Sequence, residues 1–200
     1  MLKLHDFELS GHAHRVRLML SLLELPYEKI NVSLGDGEHK QAPYIALNPF
    51  SLVPVLDDDG FVIRDSVAIL AYLASKYGPQ WYPQDPQTLA RIHEWLALAG
   101  REISQGPGRA RLITVFGASY DQAETIEQSH QLLSKIEDLI AGKDWLVTNT
   151  PTIADIACYS YIAHAPEGKV SLDAYPSITK WLSNVEGLNG FVAMQKTAVA

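Results

Sequence analysis

Ser10, Gly11 and His12 occupy the predicted turn between the first strand and the first helix of this chain. A serine at such a turn commonly caps the helix, because its side-chain oxygen accepts a hydrogen bond from a backbone N–H. Its hydroxyl could instead donate to a thiolate held at the same helix end, where the macrodipole favours an anion. A free thiol has a pKa of about 8.5 and needs such help to ionise at neutral pH. Ser10 is therefore a candidate hydrogen-bond donor and not a covalent nucleophile.

Asp65 and Ser66 form a second candidate pair, at the start of a later apolar helix. N-capping alone would explain both residues. The free N–H groups of a helix start also attract a carboxylate, so Ser66 could hold an α-carboxylate while Asp65 binds a neighbouring α-ammonium. His39 and Lys40, in a polar loop, are either solvated surface residues or a cationic clamp for a second carboxylate.

The spacing of the remaining polar residues does not support two common catalytic arrangements. His12 and His14 do not share a helix face and have no nearby carboxylate, so we expect a partly exposed pair and no metal site. The sequence also lacks a Gly-x-Ser-x-Gly segment, which argues against a Ser-His-Asp hydrolase.

Short strands and helices must position these residues within positions 1–78. Alternating apolar residues predict strands, and the Asp-rich turn at 57–60 that ends in glycine predicts a hairpin. The predicted order is strand 2–6, helix 16–25, strand 27–32, a short helix at 44–48, strands 53–56 and 61–64, and helix 67–77. This order of β-α-β followed by β-β-α is typical of a thioredoxin-like half.

Val53 directly precedes Pro54 at the start of the hairpin. Only about 5–6% of X–Pro bonds are cis in folded proteins. A Val-Pro pair entering this hairpin is nevertheless where a thioredoxin-like fold places a cis-proline. A cis bond would leave the backbone of Val53 free to pair with an extended peptide.

The second half is predicted to be all-helical. Residues 79–86 contain three prolines and read as an extended linker. Helices are predicted near 87–105, 109–116, 120–141, 152–164, 176–186 and 189–196, with a break at 106–108. Thr152 and Asp155 form a capping box, interpreted as a folding element, and Cys158 is predicted to be buried. The fold class is thus α/β plus all-α.

Composition narrows the class of protein. The 200 residues are 47% hydrophobic and 20% charged, which argues against a disordered chain. A net charge of −7 gives no general attraction to nucleic acid. The single cysteine excludes an internal disulfide, and neither a signal peptide nor a membrane-length apolar run is visible. We therefore expect a cytoplasmic protein with neither a nucleic-acid nor a membrane partner.

Together these motifs resemble the cytosolic glutathione S-transferase family over essentially the whole chain. The segments that carry the resemblance are 48–56 with its 57–60 turn, 65–70 and 152–155. The resemblance implies a thioredoxin-like glutathione-binding domain (1–78), the linker (79–86) and an all-helical domain (87–200) with the electrophile site. It also implies a homodimer, a role in detoxification and glutathione as co-substrate, with no metal.

The resemblance assigns glutathione-binding roles to His39, Lys40, Val53, Pro54, Asp65 and Ser66. Val53 would pair with the cysteinyl part beside cis-Pro54, and Asp65 with Ser66 would hold the γ-glutamyl part. His39 and Lys40 would lie near the glycyl carboxylate. Ser10 matches the hydroxyl of serine-type members, as in theta- or nu-like bacterial enzymes.

Some positions depart from the family pattern. Leu52 stands where many members have Gln or Lys, which removes one polar contact to glutathione. His12 stands where zeta-type members have a cysteine, which weakens a maleylacetoacetate isomerase interpretation. No cysteine lies in the Ser10 turn, which argues against the omega and beta-like classes. The electrophile is expected between that turn and the helix of the next domain, near Gly11, His12, Ile103, Arg109 and Ile113. Arg109 and Arg111 are expected near the rim of this cleft.

The predicted activity is conjugation of the glutathione thiolate to small electrophiles, with Ser10 stabilising the thiolate. Two alternatives stay open. One is glutathione-dependent reduction of peroxides or disulfides, which uses the same thiolate. The other is a transferase-like binding module with little catalysis.

Overall fold

A four-stranded sheet forms the first half of the protein, in the order β2-β1-β3-β4. Its strands are β1 (Leu2–Asp6), β2 (Tyr27–Asn31), β3 (Val55–Asp58) and β4 (Phe61–Arg64). Strand β1 runs parallel to β2 and antiparallel to β3, and β3 forms a hairpin with β4. The computed structural model describes residues 1–198. The predicted strands and hairpin are confirmed, except that β3 begins at Val55 and not at Val53.

Three helices accompany the sheet: α1 (Gly11–Leu22), α2 (Ala42–Leu47) and α3 (Ser66–Tyr77). Leu4 of β1, Leu18 of α1 and Leu70 of α3 are fully buried in one apolar core. Helix α1 begins five residues before the predicted start at Val16. The prediction missed its first turns because the side chains buried there, those of His14 and Arg15, are polar. Apolar periodicity does not reveal such a segment.

The second half consists of α4 (Pro86–Gly100), α5 (Arg109–Phe116), α6 (Gln122–Ile140), α7 (Ile153–Ala163) and α8 (Pro176–Glu186). The predicted break at 106–108 is instead a π-helical turn, Ser104–Gly108, that leads directly into α5. A short 3-10 turn, Pro79–Trp81, lies in the predicted linker. The predicted fold class is confirmed, and the exact domain boundaries stay a prediction. Within residues 1–198, no helix is long and apolar enough to cross a membrane.

The predicted helix at 189–196 is wrong. This segment runs without regular secondary structure along α1. The Ser21 hydroxyl donates to the Gly190 carbonyl oxygen at 2.7 Å, and His14 Nε2 donates to the Val192 carbonyl oxygen at 2.8 Å. These bonds take up carbonyl groups that a helix would use internally. His14 is fully buried, so the expectation of a partly exposed histidine pair is wrong for His14, whereas His12 is half-buried.

Helix α7 lies at the centre of the helical half and contacts α1, α3, α4 and α8. Thr152 caps it in the predicted capping box. The buried Asp155 carboxylate accepts hydrogen bonds from the backbone N–H groups of Leu146 (2.9 Å) and Thr152 (2.8 Å) and from Trp181 Nε1 (2.9 Å). Asp155 thus joins the preceding loop, α7 and α8, and its structural interpretation is confirmed.

We expect Asp155→Ala to lower the free energy of unfolding by about 3 kcal/mol or more, because three buried donors lose their acceptor at about 1–3 kcal/mol each. Asp121→Ala, at the exposed cap of α6, is the matched control and should cost about 1 kcal/mol. Urea denaturation measures both. Equal losses in the two variants would contradict the role given to Asp155.

Candidate functional site

A cavity of about 210 Å³ brings together most of the residues predicted for the first domain. It lies where the chain between α2 and β3 faces the start of α3. Its lining consists of His12, Asn48, Phe50, Leu52, Val53, Pro54, Arg64, Asp65 and Ser66. A larger groove of about 660 Å³ lies beside Glu8, Arg17, Tyr27 and Val192 and contains none of the candidate residues.

One wall of the cavity is backbone around the cis peptide bond between Val53 and Pro54, which confirms the predicted isomer. The preceding carbonyl, that of Leu52, accepts hydrogen bonds from Tyr44 Oη and Asn48 Nδ2, both at 2.8 Å. These two bonds hold the chain in place. The Val53 amide and carbonyl have no hydrogen-bond partner within residues 1–198. They can therefore pair with an extended ligand, as at the edge of a sheet.

Asp65 and Ser66 form the opposite wall at the start of α3. Asp65 Oδ1 accepts from the N–H groups of Val67 (2.8 Å) and Ala68 (3.1 Å) and thereby caps the helix. Asp65 has a φ of +75°, and its second carboxylate oxygen has no part in the cap. Ser66 is only 3% exposed. Capping and ligand binding are thus compatible here, because they use different oxygen atoms.

A buried guanidinium, that of Arg15, lies behind this wall, and sequence reasoning missed it. Arg15 Nη1 donates to His12 Nδ1 at 2.8 Å and to Ser66 Oγ at 3.2 Å. Arg15 Nη2 donates to the Ala99 carbonyl at 3.0 Å, and its guanidinium lies over the Tyr161 ring. All of these partners are uncharged. Burial lowers the pKa of Arg15, but an arginine stays charged at neutral pH.

His12 connects this arginine to the cavity. Its ring meets Tyr161 edge-on at 5.0 Å between centroids, and its Nε2 lies 3.4 Å from Ser104 Oγ of the π-helical turn. Burial, with a smaller contribution from the Arg15 charge, lowers the pKa of His12 to about 3. The imidazole is therefore neutral at physiological pH.

Ser10 is the N-cap of α1, where its Oγ accepts from the Ala13 N–H at 3.2 Å. A hydroxyl can accept and donate at once, so its hydrogen is available to a ligand. Gly11 packs beneath the Tyr161 ring, and a Cβ there would lie 2.7 Å from a ring carbon. Gly11 therefore lets α1 approach α7 closely.

The remaining candidates lie outside this cavity. His39 is half-buried and Lys40 exposed, in the 3-10 turn Glu38–Lys40. Arg109 lies over the Tyr120 ring, 4.7 Å from its centroid. Ile113 is half-buried on α5.

Two expectations for the second domain need correction. Ile103 is fully buried in the core, so its side chain does not form the wall of an open cleft. Arg111 does not lie at a rim: it is buried and pairs with Glu167 (Nε to Oε2, 2.5 Å).

Sequence comparisons match both halves of the chain. The family described as glutathione S-transferase, N-terminal domain, matches residues 9–76, and the glutathione S-transferase, C-terminal domain, matches residues 110–189. A maleylacetoacetate isomerase of Pseudomonas aeruginosa is 33% identical, covering 90% of this chain and 88% of that protein. Glutathione S-transferase theta-1 of Mus musculus is 30% identical, covering 95% and 84%.

Structural comparison agrees. The crystal structure of a glutathione S-transferase from Pseudomonas fluorescens superposes with a TM-score of 0.92 at 28% identity, covering 98% of this chain and 99% of that one.

The lowered pKa of the half-buried His12 predicts a specific pH dependence of stability. An unfolded histidine has a pKa of about 6.5, whereas that of folded His12 is about 3. As the pH falls below about 6.5, the unfolded chain binds a proton that the folded chain does not, so stability is lost. In His12→Gln, unfolding should take up about one proton fewer, so the free energy of unfolding should fall by about 1.4 kcal/mol less per pH unit.

Urea unfolding of both proteins between about pH 7 and pH 5 measures the difference. His93→Gln, at an exposed position on α4, is the control for the loss of a histidine. Equal slopes for wild type and His12→Gln would show that folded His12 titrates normally.

Proposed function

The chain belongs to the glutathione S-transferase family, and from this premise we propose that it conjugates the thiolate of glutathione to small electrophilic molecules. The observation that carries the proposal is the cavity that Asp65 and Ser66 line together with Val53, whose backbone has no hydrogen-bond partner within residues 1–198. It offers a donor and an acceptor for an extended peptide, together with an acid and a hydroxyl for an amino-acid end.

Glutathione would lie extended across this cavity. Its cysteinyl backbone would pair with Val53 beside Pro54. The γ-glutamyl ammonium would bind Asp65 and the carboxylate would bind Ser66 at the start of α3, where the helix dipole favours an anion. His39 and Lys40 would lie toward the glycyl carboxylate. The buried positive charge of Arg15 makes the adjoining cavity favourable for anionic groups.

Catalysis would consist of stabilising the thiolate and holding it against the electrophile. The Ser10 hydroxyl would donate its hydrogen to the sulfur, while its oxygen continues to accept from Ala13. The thiol proton is lost to solvent. The sulfur lone pair then forms a C–S bond as the leaving group departs with its electron pair, and binding both reactants supplies proximity. The electrophile would lie near Gly11, His12, Arg109 and Ile113.

Two alternative functions, glutathione-dependent reduction and glutathione binding with little catalysis, differ in the residues on which they depend. Peroxide reduction would oxidise two glutathione thiols to a disulfide while the peroxide becomes alcohol and water. Cys158 would take no part, since it is fully buried and burial raises its pKa. A binding module with little catalysis is favoured by Leu52, whose 64% exposed apolar side chain replaces a polar contact.

We also propose a cytoplasmic homodimer with a detoxifying role, divided into a glutathione-binding domain (1–78), a linker (79–86) and a helical domain (87–200). The exposed side chains of Phe50 (73%) and Phe61 (58%) support a second copy as partner, because covering a large aromatic side chain in an interface is favourable. A thiol-dependent reaction suits a reducing compartment.

Retention on immobilised glutathione, followed by turnover of an aromatic halide and of an organic peroxide, separates these functions. The transferase is retained and consumes the halide. Retention with turnover of peroxide alone would favour the reductase, and retention without either reaction would favour the binding module. A protein that is not retained would contradict all glutathione-dependent functions.

Asp65→Asn should weaken glutathione binding about tenfold or more while leaving the unfolding midpoint nearly unchanged. Asparagine caps a helix as well as aspartate and tolerates a positive φ, but it lacks the charge for the ammonium. A charge-assisted hydrogen bond is worth about 1.5–3 kcal/mol. Isothermal titration measures the affinity, with Asp121→Asn as the exposed-cap control. Unchanged affinity would remove Asp65 from the site.

Ser10→Ala should raise the thiol pKa of bound glutathione by about one unit or more and reduce kcat near neutral pH, because one hydrogen bond to the thiolate is lost. Ser10→Thr keeps the hydroxyl and should stay close to wild type. Thiolate absorbance across a pH titration reports the pKa. If Ser10→Ala retained the wild-type pKa and kcat, Ser10 would not be the donor.

A further inference from the structure

His12 and Arg15 form a hydrogen-bonded pair that the family resemblance does not explain. Resting on the function proposed above, we infer that His12 is a second hydrogen-bond donor to the glutathione sulfur. We further infer that Arg15 is the positioning residue that makes it a donor. The inference depends on which nitrogen of His12 carries the proton, and the contacts of Arg15 decide that.

A guanidinium has hydrogen-bond donors only. Since Arg15 Nη1 lies 2.8 Å from His12 Nδ1, that nitrogen must be an acceptor without a hydrogen. The hydrogen of the neutral ring is therefore on Nε2. Protonating Nδ1 would set an N–H against the guanidinium, so the imidazolium form is also disfavoured.

The same guanidinium orients Ser66. Arg15 Nη1 donates to Ser66 Oγ at 3.2 Å, while Ser66 Oγ lies 3.3 Å from His12 Nδ1, a longer contact than that of Arg15. The lone pair of Nδ1 is thus taken by Arg15, and the Ser66 hydrogen is left to donate elsewhere. One buried arginine therefore turns two side chains that line the cavity, His12 and Ser66, into donors.

Among residues 1–198, Nε2 of His12 has only a weak partner. Ser104 Oγ lies 3.4 Å away, near the limit of a hydrogen bond. A thiolate in the cavity would be a stronger acceptor for the same N–H. By comparison, Ser10 Oγ caps α1, and Ser10 is not among the residues that line the cavity.

The charges around the pair favour an anion in the cavity. Asp65 precedes α3 and is exposed, and its Oδ1 is held by the α3 cap. Cys158 and Tyr161 face Arg15 from α7, and burial raises the pKa of both, so they stay neutral. In the part of the chain that the structure describes, Arg15 has no carboxylate among its hydrogen-bond partners. A thiolate linked to it through His12 would supply part of the missing negative charge.

The first test is the thiol pKa of glutathione bound to His12→Ala, His12→Gln and His93→Ala. We expect this thiol pKa to be about one to two units higher in His12→Ala than in the wild type, because the thiolate loses one hydrogen bond. Gln places an N–H close to the position of Nε2 and should restore part of the shift. His93→Ala, at an exposed position on α4, should match wild type.

Glutathione binding measured on the same samples distinguishes a failure of the role given to His12 from a failure of the proposed transferase function. If His12→Ala still bound and conjugated glutathione and the thiol pKa were unchanged, the role of His12 would be overturned and the proposed transferase function would stand. Absence of glutathione binding by the wild type would instead overturn the proposed function.

The second test measures the wild-type protein itself, and a variant serves only to assign the signal. Nitrogen-15 NMR of the histidine rings distinguishes the two neutral tautomers and the imidazolium. In the wild type near pH 7, we expect His12 with its hydrogen on Nε2, assigned by the signal missing from His12→Gln. A hydrogen on Nδ1, or a doubly protonated ring, would overturn the positioning role of Arg15.

Discussion

A positive charge that is buried without a negative partner among residues 1–198 is the constraint on which the rest of the site depends. The Arg15 guanidinium is fully buried, and its contacts with His12, Ser66, the Ala99 carbonyl and the Tyr161 ring are all with uncharged groups. Burying a charge is costly unless hydrogen bonds or an opposite charge offset the loss of water. Here hydrogen bonds offset part of it, and the adjoining cavity is left favourable for an anion.

The contacts of Arg15 also join the two halves of the protein. They link α1, α3, α4 and α7, so the cavity in the first half is positioned by helices of the second. Asp155 performs a comparable task deeper in the helical half, where it fixes α7 against α8. Helix α7 therefore serves the site indirectly, since Tyr161 supports both His12 and Arg15.

The sequence predicted most of the fold because alternating apolar residues, the hairpin turn and the capping box are local signals. It also indicated Val53, Pro54, Asp65 and Ser66, which a single cavity brings together. It missed Arg15, because an arginine in the first turns of a helix is usually exposed and its partners Ser66 and Ala99 are distant in sequence. The segment 189–196 was misassigned because its carbonyl groups bond to side chains of α1, which no local pattern reveals. Ile103 was placed in a cleft because its apolar character does not distinguish a cavity wall from the core.

The most direct measurement is a crystal structure of the protein with reduced glutathione near neutral pH. We expect the tripeptide to lie extended along Val53, with its γ-glutamyl end at Asp65 and Ser66. Its sulfur should lie within hydrogen-bonding distance of both Ser10 Oγ and His12 Nε2. A sulfur directed away from the start of α1, or glutathione bound outside this cavity, would contradict a thiolate site built around the buried arginine.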